Sequence, residues 1–172
     1  MKTNLLPIRF ITVAFTLPVL LMGSCAAQPL RSSIKVGTYN SRAVALAYGR
    51  SKQHNESVSK LVADAYKAKN AGDKETFSKL QQDIEARQDR LHQQVFGDAR
   101  IDDVMKLMEP SLAGLKQKAG VDRIVDKRDA TPDVQTVDVT RQLVDQFQPT
   151  EKTLKMIDET LKHPPMKHIP KH

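Results

Sequence analysis

The sequence is poor in the residues that build disulfide scaffolds and stacking platforms. It has one cysteine, no tryptophan and only 5% aromatic residues. A single cysteine excludes a disulfide within the chain, so the fold must be held together by packing. The scarcity of aromatic side chains argues against a surface on which bases or sugars stack.

The sequence also lacks the common signatures of catalysis. It contains no glycine-rich phosphate loop, no nucleophile motif and no paired carboxylates in a recognisable setting. We therefore expect a protein that is not an enzyme and that needs no cofactor. His163, His168 and His172 lie near Met166 in a proline-rich tail that could bind copper or zinc weakly, but such tails are usually only tails, and we predict no metal site.

The first 27 residues have the anatomy of a secretory signal peptide. Lys2 and Arg9 give a charged start, residues 11–22 an apolar core, and residues 23–27 a run of small residues. The apolar core is too short to span a bilayer comfortably. We expect export of the remaining chain, and an uncleaved membrane anchor is the alternative.

Cys25 lies at the end of this segment, where its position resembles that of a lipidated cysteine in a bacterial lipoprotein signal. Lipoprotein-type cleavage before Cys25 would leave a lipid anchor at the new N-terminus. Ordinary cleavage after Ala27 would remove the cysteine. Both processing routes remain open at this point.

The charge balance is moderately basic. The chain has 27 Lys and Arg against 20 Asp and Glu, and loss of Lys2 and Arg9 leaves 25 against 20, a net charge of +5. Such a surface favours lipid head groups or acidic clients, and in an exported protein we expect no nucleic-acid partner. Five lysines in the central region are candidate contacts with a client or with lipid, with simple solubility as the alternative: Lys60, Lys67, Lys69, Lys74 and Lys79.

The central region has the hydrophobic spacing of a coiled coil. Apolar residues recur at intervals of three and four on both sides of a turn signal at residues 70–73: Val58, Leu61, Ala65 and Ala68, then Phe77, Leu80, Ile84, Leu91 and Val95. This pattern predicts an antiparallel helical hairpin over about residues 50–97. Gly49 and Gly97 would face each other at its base as a hinge, unless both are ordinary helix ends.

The flanking segments predict a small β-sheet body and further helices. We expect the strand at residues 34–39 to pair with residues 123–126 and 134–139, and these two later strands to form a loose hairpin. Pro110 should kink or restart a helix near Glu109, Gly120 should end it, and Asp138 and Thr150 should cap two later helices. The fold class is α+β, mostly helical, with a protruding antiparallel coiled-coil hairpin.

This order of elements, together with the segments IKVGTYNSRAVALAY, VDRIVDK and VDVTRQLVDQF, resembles the Skp (OmpH-like) family of periplasmic chaperones. The resemblance covers roughly residues 34–147 of a domain at 28–147, and residues 148–172 add a helix and tail outside it. It implies a homotrimer whose helical arms surround a cavity for unfolded outer-membrane proteins, acting in the periplasm without ATP. The alternative is a lipid-anchored envelope scaffold whose coiled coil binds one fixed partner.

Overall fold

A computed structural model describes residues 34–167 of the chain. The predicted signal peptide, Cys25, His168 and His172 lie outside the described residues. The described chain is mostly helical, with one small three-stranded sheet. Its elements are, in order, β1 (Lys35–Tyr39), α1 (Ser41–Gly49), α2 (Lys52–Asn70), α3 (Lys74–Phe96), α4 (Asp102–Ala119), β2 (Arg123–Asp126), β3 (Gln135–Asp138), α5 (Thr140–Asp145) and α6 (Glu151–Lys162).

The sheet has the order β2-β1-β3, with β1 in the centre. The early strand therefore pairs with both late strands, as predicted, with Gly37 opposite Ile124 on one side and Val137 on the other. The predicted hairpin between β2 and β3 is wrong. Both strands run parallel to β1 and lie on opposite sides of it, so they do not pair with each other.

The connection between β2 and β3 explains why the hairpin does not form. It spans residues 127–134, begins with a 3₁₀ turn at Lys127–Asp129 and contains Pro132. Because β3 runs in the same direction as β2, the connection must run back along the sheet and cross β1, whose five residues span about 17 Å at roughly 3.3 Å per residue. Eight residues are enough for that path, and none of them forms the tight two-residue turn that a short hairpin needs.

Helix α1 lies at the centre of the core, with every residue from Ser41 to Ala47 buried. Its alanines are small enough for α3, α5 and α6 to pack closely on it. The Asn40 side chain caps the helix by accepting hydrogen bonds from the backbone amides of Arg42 and Ala43. The sequence therefore passes from β1 into a buried helix across one capping residue.

Helices α2 and α3 pack against each other and are joined by a short turn. Gly72 has a φ of +75°, which favours glycine, and the Asp73 side chain accepts from the Thr76 amide to start α3. The predicted turn at residues 70–73 is confirmed. Helix α2 starts separately from α1, because Ser51 caps it by accepting from the His54 amide.

The predicted apolar stripe is the less exposed side of both helices. All nine of its members are buried or half-buried, whereas most other residues of α2 and α3 are exposed: Val58, Leu61, Ala65, Ala68, Phe77, Leu80, Ile84, Leu91 and Val95. Of these nine, only Ala65, Ala68 and Val95 are fully buried. The α2–α3 pair thus keeps much of its apolar surface within reach of solvent.

Helix α4 runs unbroken from Asp102 to Ala119 with Pro110 inside it, so the helix does not restart near Glu109, and a kink at that point stays a prediction. Proline removes one backbone donor but leaves the remaining helical hydrogen bonds in place. Ser111 Oγ donates to the Met108 carbonyl in the same turn at 2.8 Å. Gly120 ends the helix with a φ of +64°, as predicted.

Thr150 caps α6 as predicted, because its Oγ1 accepts from the Thr153 amide. Helix α5 instead has Val139 at the cap position, without a side-chain cap, and Asp138 one residue earlier accepts from the Thr140 amide. Helix α6 packs against α1 through its buried residues Thr153 and Ile157. Helix α6, which lies outside the family resemblance, is therefore part of the core.

Candidate functional site

The α2–α3 pair carries the five lysines that the sequence singles out, and all five are exposed. Lys69 and Lys74 flank the turn, and Lys60 lies nine residues before Lys69 on α2, about 14 Å at 1.5 Å per residue. Lys67 pairs with Asp64 and Lys79 with Glu75, at N–O distances of 3.1 and 2.7 Å. These exposed pairs are weak and leave the lysines able to exchange partners.

Two aromatic residues accompany the lysines. Tyr66 is 61% exposed on α2, next to Lys67. On α3, the ring of Phe77 is half-buried and its centroid lies 5.8 Å from Lys69 Nζ. Sequence reasoning passed over Tyr66 because it falls outside the apolar stripe. The signal that could have revealed Tyr66 was an aromatic residue on the polar, solvent-exposed face of the predicted helix.

The α2–α3 pair is not tightly packed at the end away from its turn. A cleft of about 210 Å³ lies between the helices and is lined by Val58, Leu61, Ile84 and Leu91. Arg87 interrupts the stripe at this height, and its Nη1 donates to Ser57 Oγ at 3.3 Å. Arg87 also lines this cleft, so apolar side chains and one exposed cation meet there.

A second cleft, of about 400 Å³, lies between the α2–α3 pair and α4. The His54 ring packs edge-on against Tyr48, with the ring centroids 5.0 Å apart. Burial, and then the positive charge of Arg87, lower the pKa of His54 below its ordinary value. Arg90 and Asp103 form an ion pair across this cleft at 3.5 Å. Neighbouring cations and anions neutralise each other here, so the cleft carries no strong field for a charged ligand.

The carboxyl end of the parallel sheet is the place where open α/β sheets usually bind ligands. Here Asp126 is only 4% exposed and accepts from Arg128 Nη2 at 2.7 Å, while the same nitrogen donates to Ser41 Oγ at 3.2 Å. Burial opposes ionisation of Asp126, but the hydrogen bonds from Arg128 outweigh it and hold the pKa of Asp126 below its usual range. Burial, followed by repulsion from Asp126, raises the pKa of Tyr39 to about 12. These groups satisfy one another, which is typical of a structural ion pair.

The two proposed hinge glycines lie at helix ends. Gly49 is the last residue of α1, and Gly97 caps the end of α3. A Cβ added at Gly49 would lie 2.7 Å from Leu91 Cδ2, so the Leu91 side chain packs closely against Gly49. The hinge stays a prediction, and its measurement is backbone hydrogen exchange: residues 47–50 and 96–99 should exchange faster than the helices on either side.

Two classes of feature are missing from the part of the chain that the structure describes. Between residues 34 and 167, no three His, Cys, Asp or Glu side chains are grouped as ligands for a metal ion. None of the helices in that range combines the length and the apolar character that a membrane span requires.

Comparison of the chain with protein-family models, with curated proteins and with solved structures finds no match. Function must therefore come from the residues and their geometry. The α2–α3 pair is the candidate functional surface, because it combines a partly exposed apolar stripe, a cleft between the helices and five exposed lysines.

Proposed function

We propose that the chain is an ATP-independent holdase that binds unfolded outer-membrane proteins in the periplasm, as the resemblance to the Skp (OmpH-like) family implies. In this proposal, α2 and α3 form an antiparallel coiled-coil hairpin that protrudes from a body built around the sheet. Three copies associate and their hairpins surround the client. Signal-peptide cleavage delivers the protein to the periplasm, and a lipid on Cys25, where retained, anchors it to the outer membrane.

The observation that carries the proposal is the apolar stripe of α2 and α3, most of which is only half-buried. A holdase needs a surface that is apolar enough to compete with client aggregation and polar enough to release the client. If the stripe were fully buried between α2 and α3, none of its apolar surface would be able to contact a client. The cleft lined by Leu61 and Ile84 leaves apolar atoms available for a client.

The charges on α2 and α3 support the same role. The lysines near the turn provide weak, exchangeable contacts with acidic loops of a client or with lipid phosphates at the membrane surface. Tyr66 adds an exposed aromatic ring among them. A hinge at Gly49 and Gly97 would let the hairpins accommodate clients of different size.

The deciding experiment is size-exclusion chromatography with light scattering on the chain that begins at residue 28, with and without a urea-unfolded outer-membrane β-barrel protein. We expect a homotrimer that co-elutes with the barrel protein and suppresses its aggregation. A monomer that ignores the barrel protein and instead binds one folded partner stoichiometrically would favour the envelope scaffold.

A pair of matched variants tests whether the stripe is the client surface. Leu80→Ser with Ile84→Ser removes two half-buried apolar side chains, and Gln82→Ser with Ala86→Ser makes two substitutions at exposed positions of the same helix. We expect the stripe variant to lose barrel capture while the control retains it. Circular dichroism checks that both variants remain helical. Equal capture by both variants would contradict the assignment of the stripe.

A further inference from the structure

A groove between α3 and α6, above the C-terminal end of α1, has an apolar floor. Its volume is about 520 Å³, within the range of small-molecule binding sites. Leu46 of α1, Leu91 and Val95 of α3, and Met156 of α6 line the floor. Three separate segments of the chain thus build one concave apolar surface.

Positive side chains line the rim of the same groove. Arg50, Lys152 and Lys155 are exposed, and none of them forms an ion pair with an acid among residues 34–167. Glu159 is the one acid among the lining residues, and it pairs with Lys162 at 2.6 Å. The rim therefore has positive charge that the protein itself does not neutralise.

The two walls of the groove are fastened together by Arg42. Its Nε donates to the Val95 carbonyl and its Nη2 to the Thr160 carbonyl, both at 2.9 Å, and Val95 and Thr160 both line the groove. On the tail side, the Met166 amide donates to the Phe96 carbonyl at 2.8 Å. Walls fixed in this way lose little freedom when a ligand enters, which favours binding.

We propose that this groove binds a single-chain amphiphile with an anionic head group, with its hydrocarbon chain on the floor and its head at Arg50, Lys152 and Lys155. Hydrocarbon contributes about 0.8 kcal/mol per methylene that is fully buried, which is roughly fourfold in affinity. Charge-assisted contacts to the head select anions over neutral molecules of the same chain length. A fatty acid and a single-chain lipid phosphate share this chemistry.

The proposal is tested by isothermal titration calorimetry on the chain that begins at residue 28, with each probe below its micelle concentration. The probes are laurate, lauryl phosphate, octanoate and the neutral lauryl maltoside. We expect one laurate or lauryl phosphate per chain, weaker binding of octanoate, and no saturable binding of lauryl maltoside. The tighter of the two anionic probes identifies the head-group class. Equal binding of lauryl maltoside and laurate would overturn the proposal.

Matched variants locate the site. Lys152→Gln with Lys155→Gln should weaken laurate binding about tenfold, while Lys106→Gln with Lys118→Gln, on α4, removes the same charge outside the groove and should leave it unchanged. Met156→Trp, which fills the floor, should weaken laurate binding without adding charge. Equal effects of the two double-lysine variants would overturn the proposal.

Laurate binding in the groove and capture of unfolded barrel proteins can be tested separately. The groove shares Leu91 and Val95 with the stripe that is proposed to hold clients, but Lys152 and Lys155 lie on α6, outside the stripe. Lys152→Gln with Lys155→Gln should therefore still capture an unfolded barrel protein. Loss of laurate binding with intact barrel capture is the expected result for this variant. Absence of laurate binding to the unmodified chain would remove the groove assignment and leave the holdase proposal standing.

Discussion

Arg42 is a buried cation whose partners are carbonyl groups. Its guanidinium donates to the carbonyls of Val95, Thr160 and His163 at 2.8 to 2.9 Å, and the residue is 9% exposed. These carbonyls lie at the C-terminal ends of α3 and α6, which have unsatisfied acceptors and negative dipole ends. Burial lowers the pKa of Arg42, yet a guanidinium stays protonated in proteins. Arg42 therefore joins α1 to two helix ends that are far away in sequence.

Replacement of Arg42 should be costly. Arg42→Met leaves three carbonyls without their donor, and we expect the free energy of unfolding to fall by about 3 kcal/mol. Arg42→Lys keeps the charge but lacks the planar fork, so its loss should be smaller. Urea unfolding measures both. Arg141→Met, which removes an exposed arginine from α5, is the control and should change stability by no more than about 0.5 kcal/mol. A loss in Arg42→Met as small as in this control would contradict the role of Arg42.

His54 should make stability depend on pH. Burial, and then Arg87, hold the pKa of His54 below 6.5, so the folded state resists protonation while the unfolded state accepts a proton near pH 6.5. As pH falls through 6.5, the unfolded state gains protons that the folded state does not, and stability decreases. Urea unfolding of the unmodified chain and of His54→Gln across this range should give curves that diverge below pH 6.5. Parallel curves would show that His54 does not titrate differently on folding.

Individual helices and strands were largely predictable because their signals are local. The cap at Thr150, the stop at Gly120 and the stripe of α2 and α3 each depend on residues within a few positions of one another. The direction of β3 was not predictable in this way. It depends on which edge of β1 is available once β2 has paired, and two nearby β segments suggested a hairpin that the long connection does not make.

Pro110 shows how the packing of a helix can override a local signal. The proline ring crowds the carbonyl of the residue four positions earlier, and proline costs about 3 kcal/mol relative to alanine in a helix interior. Helix α4 nevertheless continues, because Val104, Met108 and Leu115 bury one face of it on both sides of the proline. Packing across two further turns outweighs the loss of one hydrogen bond.

Removal of this proline should stabilise the protein. Pro110→Ala is expected to raise the free energy of unfolding by up to about 3 kcal/mol, because the helix is already formed around the substitution. Gly114→Ala, in the same helix and with open space for a Cβ, should raise it by about 1 kcal/mol. Thermal and urea unfolding give both values. A gain for Pro110→Ala no larger than that for Gly114→Ala would mean that α4 bears little strain at the proline.

At the scale of the whole molecule, the sheet and the core bring together residues that are far apart in sequence. Lys35 pairs with Gln135, and Arg42 bonds to His163, so both the complete sheet and the Arg42 contacts join residues that are far apart in sequence. The groove beside α6 could not be predicted because its floor comes from three segments whose side chains meet only after folding. The α2–α3 stripe could be predicted because both helices carry it in their own sequence.

The part of α2 and α3 around their turn, residues 60–84, makes mainly local contacts. We therefore predict that this part is dispensable for folding. Within residues 60–84 only Ala65 and Ala68 are fully buried, and neither belongs to the core cluster around α1, so this range contributes little to that core. We expect a variant in which a short Gly-Ser turn replaces residues 60–84 to lose helical content but to unfold cooperatively.

The same variant separates folding from client binding. It lacks most of the apolar stripe and all five lysines, so it should fail to prevent aggregation of an unfolded barrel protein, while its groove at α6 still binds laurate. A Gly-Ser insertion of equal length in the connection at residues 130–133, which leaves α2 and α3 intact, is the control. Retained barrel capture by the shortened chain would place the client surface on the sheet-containing body, and loss of cooperative unfolding would show that α2 and α3 are needed for the core.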